Sequence, residues 1–182
     1  MTKKIVIAGA GHAAGQVAAT LRQQKFTGNI VLVGDEEHLP YQRPPLSKKF
    51  LSGDLAAKRL YFKPESFYVN QRIELRLKTS VTSINRGDKT LHTDGGDVIS
   101  YDKLVLALGS RARKLTIPGA NLEGVYYLRS IADVEAIRAE LENSKRVLII
   151  GAGYIGLEVT AITRQLGLEV TVIEMADRVM SR

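Results

Sequence analysis

The sequence predicts an α/β fold with two Rossmann-like β-α-β units, and three observations carry that prediction. Two continuous apolar runs, Lys4 to Ala8 and Arg146 to Ile150, each end in a glycine-rich turn. Apolar residues at helical spacing follow each turn, and a second short apolar run follows each helical stretch. The first run, ended by Gly9, suits a strand buried on both faces of a parallel sheet. Strand, helix and strand within about thirty residues is the size of one nucleotide-binding unit.

In the first unit Ala13, Val17 and Leu21, with Ala14 and Ala18 beside them, define one face of a helix. Gly28-Asn29 breaks it, and Ile30 to Val33 reads as the next strand. Asp35 to Lys63 is a long connection rich in proline and charge, with a short helix opening at Pro45. Ile73 to Leu77, Val81 to Asn85, Thr90 to Thr93 and Val98 to Tyr101 read as short strands, the last two joined by a tight antiparallel turn at Asp94-Gly95-Gly96. Leu104 to Leu108 is another apolar strand, and Pro118-Gly119 marks a domain boundary. Beyond it, Ser130 and Asp133 form a capping box ahead of the stripe Ile131, Val134, Ile137 and Leu141. The opening pattern then returns: a strand to Ile150, a helix marked by Ile155, Val159, Ile162 and Leu166 and stopped by Gly167, and a strand from Val170 to Ile173.

Composition narrows the chemistry. The 182 residues, 45% hydrophobic and 25% charged, allow one globular domain and a fraction of another. With no cysteine there is no disulfide framework, no Cys-ligated metal, no thiol nucleophile and no dithiol centre, so redox chemistry requires a bound cofactor. His12, His38 and His92 lack metal-ligand spacing and are given neither a metal nor a catalytic role. No apolar run approaches a membrane span and the start does not read as a signal peptide, so a soluble cytoplasmic protein is expected. The net charge of +7 is concentrated between Tyr41 and Lys63, where Arg43, Lys48, Lys49, Lys58, Arg59 and Lys63 face one acid, Asp54. That stretch reads as a solvated loop, a docking face for an acidic partner, or a phosphate or flavin site. Nucleic acid fits least, because no recognition motif accompanies the charge.

The first turn, Gly9-Ala-Gly11-His-Ala-Ala14, has the form G-x-G-x-x-A. Its first glycine permits the tight turn, its second lets the backbone approach a pyrophosphate, and the small third residue allows close helix–strand packing. Asp35-Glu36 follows about twenty residues on, where an acid hydrogen-bonds a ribose hydroxyl. The second turn, Gly151-Ala-Gly153-Tyr-Ile-Gly156, has Glu174 at the corresponding place. An acid there favours a free 2′-hydroxyl over a 2′-phosphate, hence NADH over NADPH; Arg178 nearby reads as an exposed basic residue after the strand, or else as one that softens the preference. Two dinucleotide fingerprints in one chain are what passage of a hydride from nicotinamide to flavin requires.

At this level of detail the chain resembles a known family. The opening Ile5 to Ala14, the segment Pro40-Tyr-Gln-Arg-Pro-Pro-Leu-Ser-Lys48, the strand Tyr101 to Gly109, the Tyr127-Leu-Arg129 and the block Gly151 to Glu158 occur in an order similar to that of the FAD-dependent NADH:ferredoxin and rubredoxin reductases, the putidaredoxin reductase-like enzymes coupled to oxygenases. The Arg43 to Lys48 block is the most specific element. Leu108 departs from the threonine that many relatives carry there, a loss of about one hydrogen bond. The resemblance implies an FAD/NAD(P)-binding fold with residues 1–114 as the N-terminal half of the FAD domain and 115–182 as the first β-α-β unit of the NAD(H) domain, both incomplete. It implies that the chain is the front part of a longer reductase and does not catalyse by itself.

The resemblance also assigns roles. Gly9, Gly11 and Ala14 receive the FAD pyrophosphate and Asp35 or Glu36 the adenosine ribose. Arg43 and Lys48 lie along the flavin, Lys48 near its reactive edge and paired with Glu158; a cation there stabilises the negative charge that grows as hydride arrives. The plainer readings are a surface lysine and an acid that favours a helix N-terminus. Val81 and Ala107 pack on the adenine side, Arg129 reaches FAD, and Tyr154 covers the nicotinamide site or is equally a packing residue, with Gly151, Gly153, Gly156 and Glu174 holding NADH. The implied partner is a small acidic ferredoxin or rubredoxin, steered by the basic stretch and by Arg111 to Lys114. A second class is a noncatalytic dinucleotide-binding or interaction module resembling apoptosis-inducing factor, and a third a flavin-dependent oxidase, although oxidases of this kind generally use a cysteine.

Overall fold

The structure, a computed structural model, describes residues 2–181. In chain order it contains β1 (Lys4–Ala8), α1 (His12–Gln23), β2 (Asn29–Val33), α2 (Glu65–Asn70), β3 (Ile73–Arg76), β4 (Val81–Asn85), β5 (Thr90–Thr93), β6 (Val98–Ser100), β7 (Lys103–Leu106), α3 (Ile131–Leu141), β8 (Arg146–Ile150), α4 (Tyr154–Gln165) and β9 (Glu169–Ile173). Two compact units result. One joins the chain up to Gln42 with Tyr61–Ser110; the other joins Arg43–Leu60 with the chain from Arg111 onward.

The first unit is layered. A parallel sheet runs in the order β3-β2-β1-β7, with Ile7 beside Leu32 on one side and Val105 on the other. Val6, Ile7 and Ala8 are fully buried, as a central strand of a covered parallel sheet requires. On one face Ile7, Ile30, Leu32 and Ile73 pack with Ala14 and Ala18 of α1 and Tyr68 of α2. On the other, Val6, Val31 and Val33 pack with Leu91 and Ile99 of the antiparallel sheet β4-β5-β6.

Three details differ from the sequence expectation. The buried face of α1 is Ala14, Gly15, Ala18 and Ala19, whereas Ala13 is exposed. Small side chains bring the helix close to its neighbours, and a Cβ on Gly15 would lie 2.7 Å from Pro40 Cβ. The strand β7 ends at Leu106, and Leu108 beyond it is 68% exposed. Finally, α2 has no apolar stripe in the sequence; it is anchored by Tyr68, whose burial pushes the phenol up to about 12. Arg22 ties this region together. Its guanidinium donates to the carbonyls of Phe26, Gly28, Gln71 and Arg72 at 2.7 to 2.8 Å.

In the second unit a 3-10 turn, Pro44–Ser47, packs with α3, and Leu46, Phe50, Leu51, Ile131 and Val134 are buried. The capping box of α3 forms as expected: the Asp133 amide donates to Ser130 Oγ at 3.2 Å and the Ser130 amide to Asp133 Oδ2 at 2.7 Å. The strands β8 and β9 run parallel, from Arg146 beside Glu169 to Ile150 beside Ile173, with α4 between them in sequence. The expected stripe of α4 is only partly covered. Ile155 is 56% exposed, while Thr163, its hydroxyl bonded to the Val159 carbonyl, is fully buried. Among the described residues no helix is long and apolar enough to cross a membrane.

Candidate functional site

At the first turn Gly9 has φ +115° and its amide donates to the Val33 carbonyl at 2.6 Å. A Cβ there would overlap the Ala107 carbonyl oxygen of the neighbouring chain segment, so only glycine fits. Gly11 caps α1 in an extended conformation; no side chain caps the first turn, no acid lies in it, and nothing stands within 4 Å of where a Gly11 Cβ would be. The first amides of a helix, with the positive end of its dipole, are left facing open space that suits an anion. Ala14 is fully buried against the sheet. Asp35 is exposed, whereas Glu36 is half-buried and accepts the Tyr41 hydroxyl at 2.6 Å, which orients its carboxylate. Val81 and Ala107 are half-buried, packed against the two cores of the unit.

The second unit repeats the motif. Gly151 has φ +104° and donates to the Ile173 carbonyl at 2.8 Å. Gly153 caps α4 in an extended conformation, again with no side-chain cap, no acid in the first turn and open space at its Cβ position. A Cβ on Gly156 would overlap the Gly151 carbonyl oxygen, which accounts for glycine where the first unit has alanine. Glu174 is folded onto this turn: its carboxylate accepts the amides of Ala152 at 2.7 Å, Met175 at 2.8 Å and Ala176 at 3.0 Å. Tyr154 opens α4 and is 68% exposed.

The same unit brings Lys48 and Glu158 together. Lys48 Nζ lies 2.7 Å from Glu158 Oε1, and the Ser47 hydroxyl donates to Oε2 of the same carboxylate. Hydrogen bonds from Lys48 and then Ser47 hold the Glu158 carboxyl below its ordinary pKa, against a smaller opposing effect of burial. Arg43 donates to the Arg129 carbonyl at 2.7 Å, and the Arg129 amide to Asp133 at 3.0 Å. Of the basic stretch, Lys49, Lys58 and Arg59 are exposed, while Lys63 lies 5.4 Å from the Phe67 ring centroid. His12 stacks on Phe62 and His38 bonds Tyr61. No group of three or more potential metal ligands occurs among the described residues.

Ser47 and Tyr41 were not singled out by sequence reasoning. For both the available signal is their place in the Pro40 to Lys48 segment, Ser47 beside Lys48 and Tyr41 at its start.

A covered parallel sheet in the first unit, and in both units a glycine turn without a side-chain cap between a strand and a helix, define a dinucleotide-binding fold. The chain belongs to the pyridine nucleotide-disulphide oxidoreductase family, whose pattern it matches over residues 3–182. It is 47% identical over 178 residues to rubredoxin-NAD(+) reductase of Pseudomonas putida, covering 98% of this chain and 46% of that protein. The ferredoxin reductase for the CYP199A2 system of Rhodopseudomonas palustris superposes with a TM-score of 0.95 at 48% identity, over 100% of this chain and 45% of its own. A chain of the covalent putidaredoxin reductase–putidaredoxin complex gives 0.91 at 40% identity, over 99% of this chain and 44% of its own. The chain thus spans just under half the length of these relatives. Despite the family's description, these 182 residues contain no cysteine with which to form a disulphide.

Proposed function

We propose that this chain carries the nucleotide-binding turns of an NADH-dependent flavoprotein reductase, which passes electrons to a small acidic ferredoxin or rubredoxin of an oxygenase system in the cytoplasm. The observation that supports it best is the repetition, within one chain, of an open glycine turn followed by an acid, in a chain similar to reductases of this kind. When bound, NADH supplies a hydride and FAD accepts it and releases electrons one at a time.

The residues divide the work. Residues 1–114 serve FAD: the amides behind Gly9, Gly11 and Ala14 answer its pyrophosphate, and Glu36, oriented by Tyr41, takes the ribose in preference to the exposed Asp35. Residues 115–182 begin the NADH site: Gly151, Gly153 and Gly156 admit the pyrophosphate, Glu174 takes the ribose and repels a 2′-phosphate, and Tyr154 covers the nicotinamide. Lys48, held by Glu158, stabilises negative charge on the flavin as hydride arrives. Val81 and Ala107 of the first unit serve the adenine side of the flavin nucleotide, and Arg43 and Arg129 are the basic residues assigned to it. Lys49, Lys58 and Arg59 steer the acidic carrier.

The whole reductase that carries this chain, once purified, should be yellow and should bleach anaerobically with NADH faster than with NADPH. A colourless protein that binds only adenine nucleotides would overturn the reading in favour of a noncatalytic module. Charge reversal at Lys58 and Arg59 should slow carrier reduction and flatten its salt dependence; unchanged kinetics would remove these residues from the docking face.

A further inference from the structure

We propose that Ser47 is a positioning residue, whose hydroxyl holds one oxygen of Glu158 so that the other oxygen fixes the Lys48 ammonium. The inference rests on the assignment of Lys48 to the hydride-transfer site. Its basis is the division of one carboxylate between two donors: Ser47 Oγ on Oε2 at 2.5 Å and Lys48 Nζ on Oε1 at 2.7 Å.

A Lys–Glu pair alone is poorly suited to holding a charge in place. The Lys48 side chain is 50% exposed and that of Glu158 29%. Both side chains are long, the terminal torsion of a glutamate is broad, and exposed pairs of this kind are weak. Ser47 differs from both. It is 4% exposed, its side chain has a single carbon, and its buried hydroxyl has Glu158 as partner. A donor fixed on Oε2 stops the carboxylate from turning and leaves Oε1 at one place for the ammonium.

The donor is itself held by a stiff frame. Pro44 and Pro45 open the turn with their φ angles set by the rings. The Lys48 amide donates to the Pro45 carbonyl at 3.1 Å, Arg43 anchors the start of the turn on the Arg129 carbonyl, and Lys48 Nζ lies 3.4 Å from the Pro44 carbonyl. Successive residues of one rigid turn therefore present a hydroxyl and an ammonium to the two oxygens of a carboxylate 111 positions away from the hydroxyl.

The test compares Ser47→Ala with Ser47→Thr, which keeps the hydroxyl, in the flavin-loaded protein. Three quantities are read: the pH titration of the Glu158 carboxyl carbon by NMR, and the rate constant and apparent Kd of anaerobic flavin reduction by NADH. In Ser47→Ala the Glu158 midpoint should move up toward an ordinary glutamate and the rate constant fall about tenfold with Kd unchanged, as loss of a hydrogen bond to a charged group implies. Ser47→Thr should restore both. An unmoved titration and rate in Ser47→Ala would overturn the proposal, as would equal losses in Ala and Thr, which mark a packing role. Should Ser47→Ala fail to fold, Ser47→Cys, similar in size and a weak donor, gives the same comparison. If the protein binds no flavin, the functional reading fails separately, and the carboxyl titration still decides whether Ser47 holds Glu158.

Discussion

Gly9 and Gly151 hold the same place in their β-α-β units, with nearly the same φ and the same hydrogen bond to the end of the next strand. Their surroundings differ. β1 lies between β2 and β7, and the Ala107 carbonyl beyond β7 presses on Gly9. Among the described residues β8 pairs only with β9, and nothing approaches the missing side chain of Gly151. At the third position the contrast reverses: Ala14 is accommodated, whereas Gly156 abuts its own turn. Within the described residues the glycines of the two turns thus answer different contacts: the Ala107 carbonyl at Gly9, and the carbonyl of its own turn, Gly151, at Gly156.

Substitution tests that contrast. Gly9→Ala should have the largest effect, a loss of about 3 kcal/mol and roughly 6 to 12 °C in Tm, because positive φ and a backbone clash add. Gly151→Ala should cost about 1 kcal/mol, from φ alone. Equal losses in thermal melts would erase the distinction. Next, Gly156→Ala should cost about 2 kcal/mol against about 1 kcal/mol for Ala14→Gly; the reverse order would refute the role of the Gly151 carbonyl. Glu174→Gln should weaken NADH binding about tenfold and NADPH binding less, measured by titration calorimetry. Gly11→Ala and Gly153→Ala should leave Tm within about 1 kcal/mol equivalent yet weaken FAD and NADH respectively, since each Cβ would stand where a pyrophosphate approaches.

The smallest effect is acid dependence. The Glu158 pKa is depressed in the folded state, so its contribution to stability is present above the ordinary glutamate value and is lost as pH falls from there through the depressed value. The difference in stability between the native chain and Glu158→Gln should therefore shrink over that acidic window, and a difference constant with pH would contradict the pairing.

Much of this was legible in the sequence, where local chemistry decides the outcome. Apolar runs ended by glycine gave β1 and β8, the Asp-Gly-Gly turn gave the β5–β6 hairpin, and Ser130 with Asp133 gave the start of α3. What was not legible depends on distant partners. The helix α2 forms over six residues without a stripe because Tyr68 is buried beneath α1 and the sheet. The buried side of α1 is chosen by small residues that permit close approach, not by the largest apolar ones. The hydroxyl of Ser47 gains meaning only when Glu158 meets it, a contact that no spacing rule encodes.

Arg22 has a consequence for how the molecule opens. Its one planar head is bonded to carbonyls following α1, just ahead of β2 and just ahead of β3. Any of these segments that peels away gives up bonds to the same guanidinium, so fraying at any of them is coupled to the others. In native-state hydrogen exchange, the last turn of α1 and the leading ends of β2 and β3 should exchange with one common opening free energy.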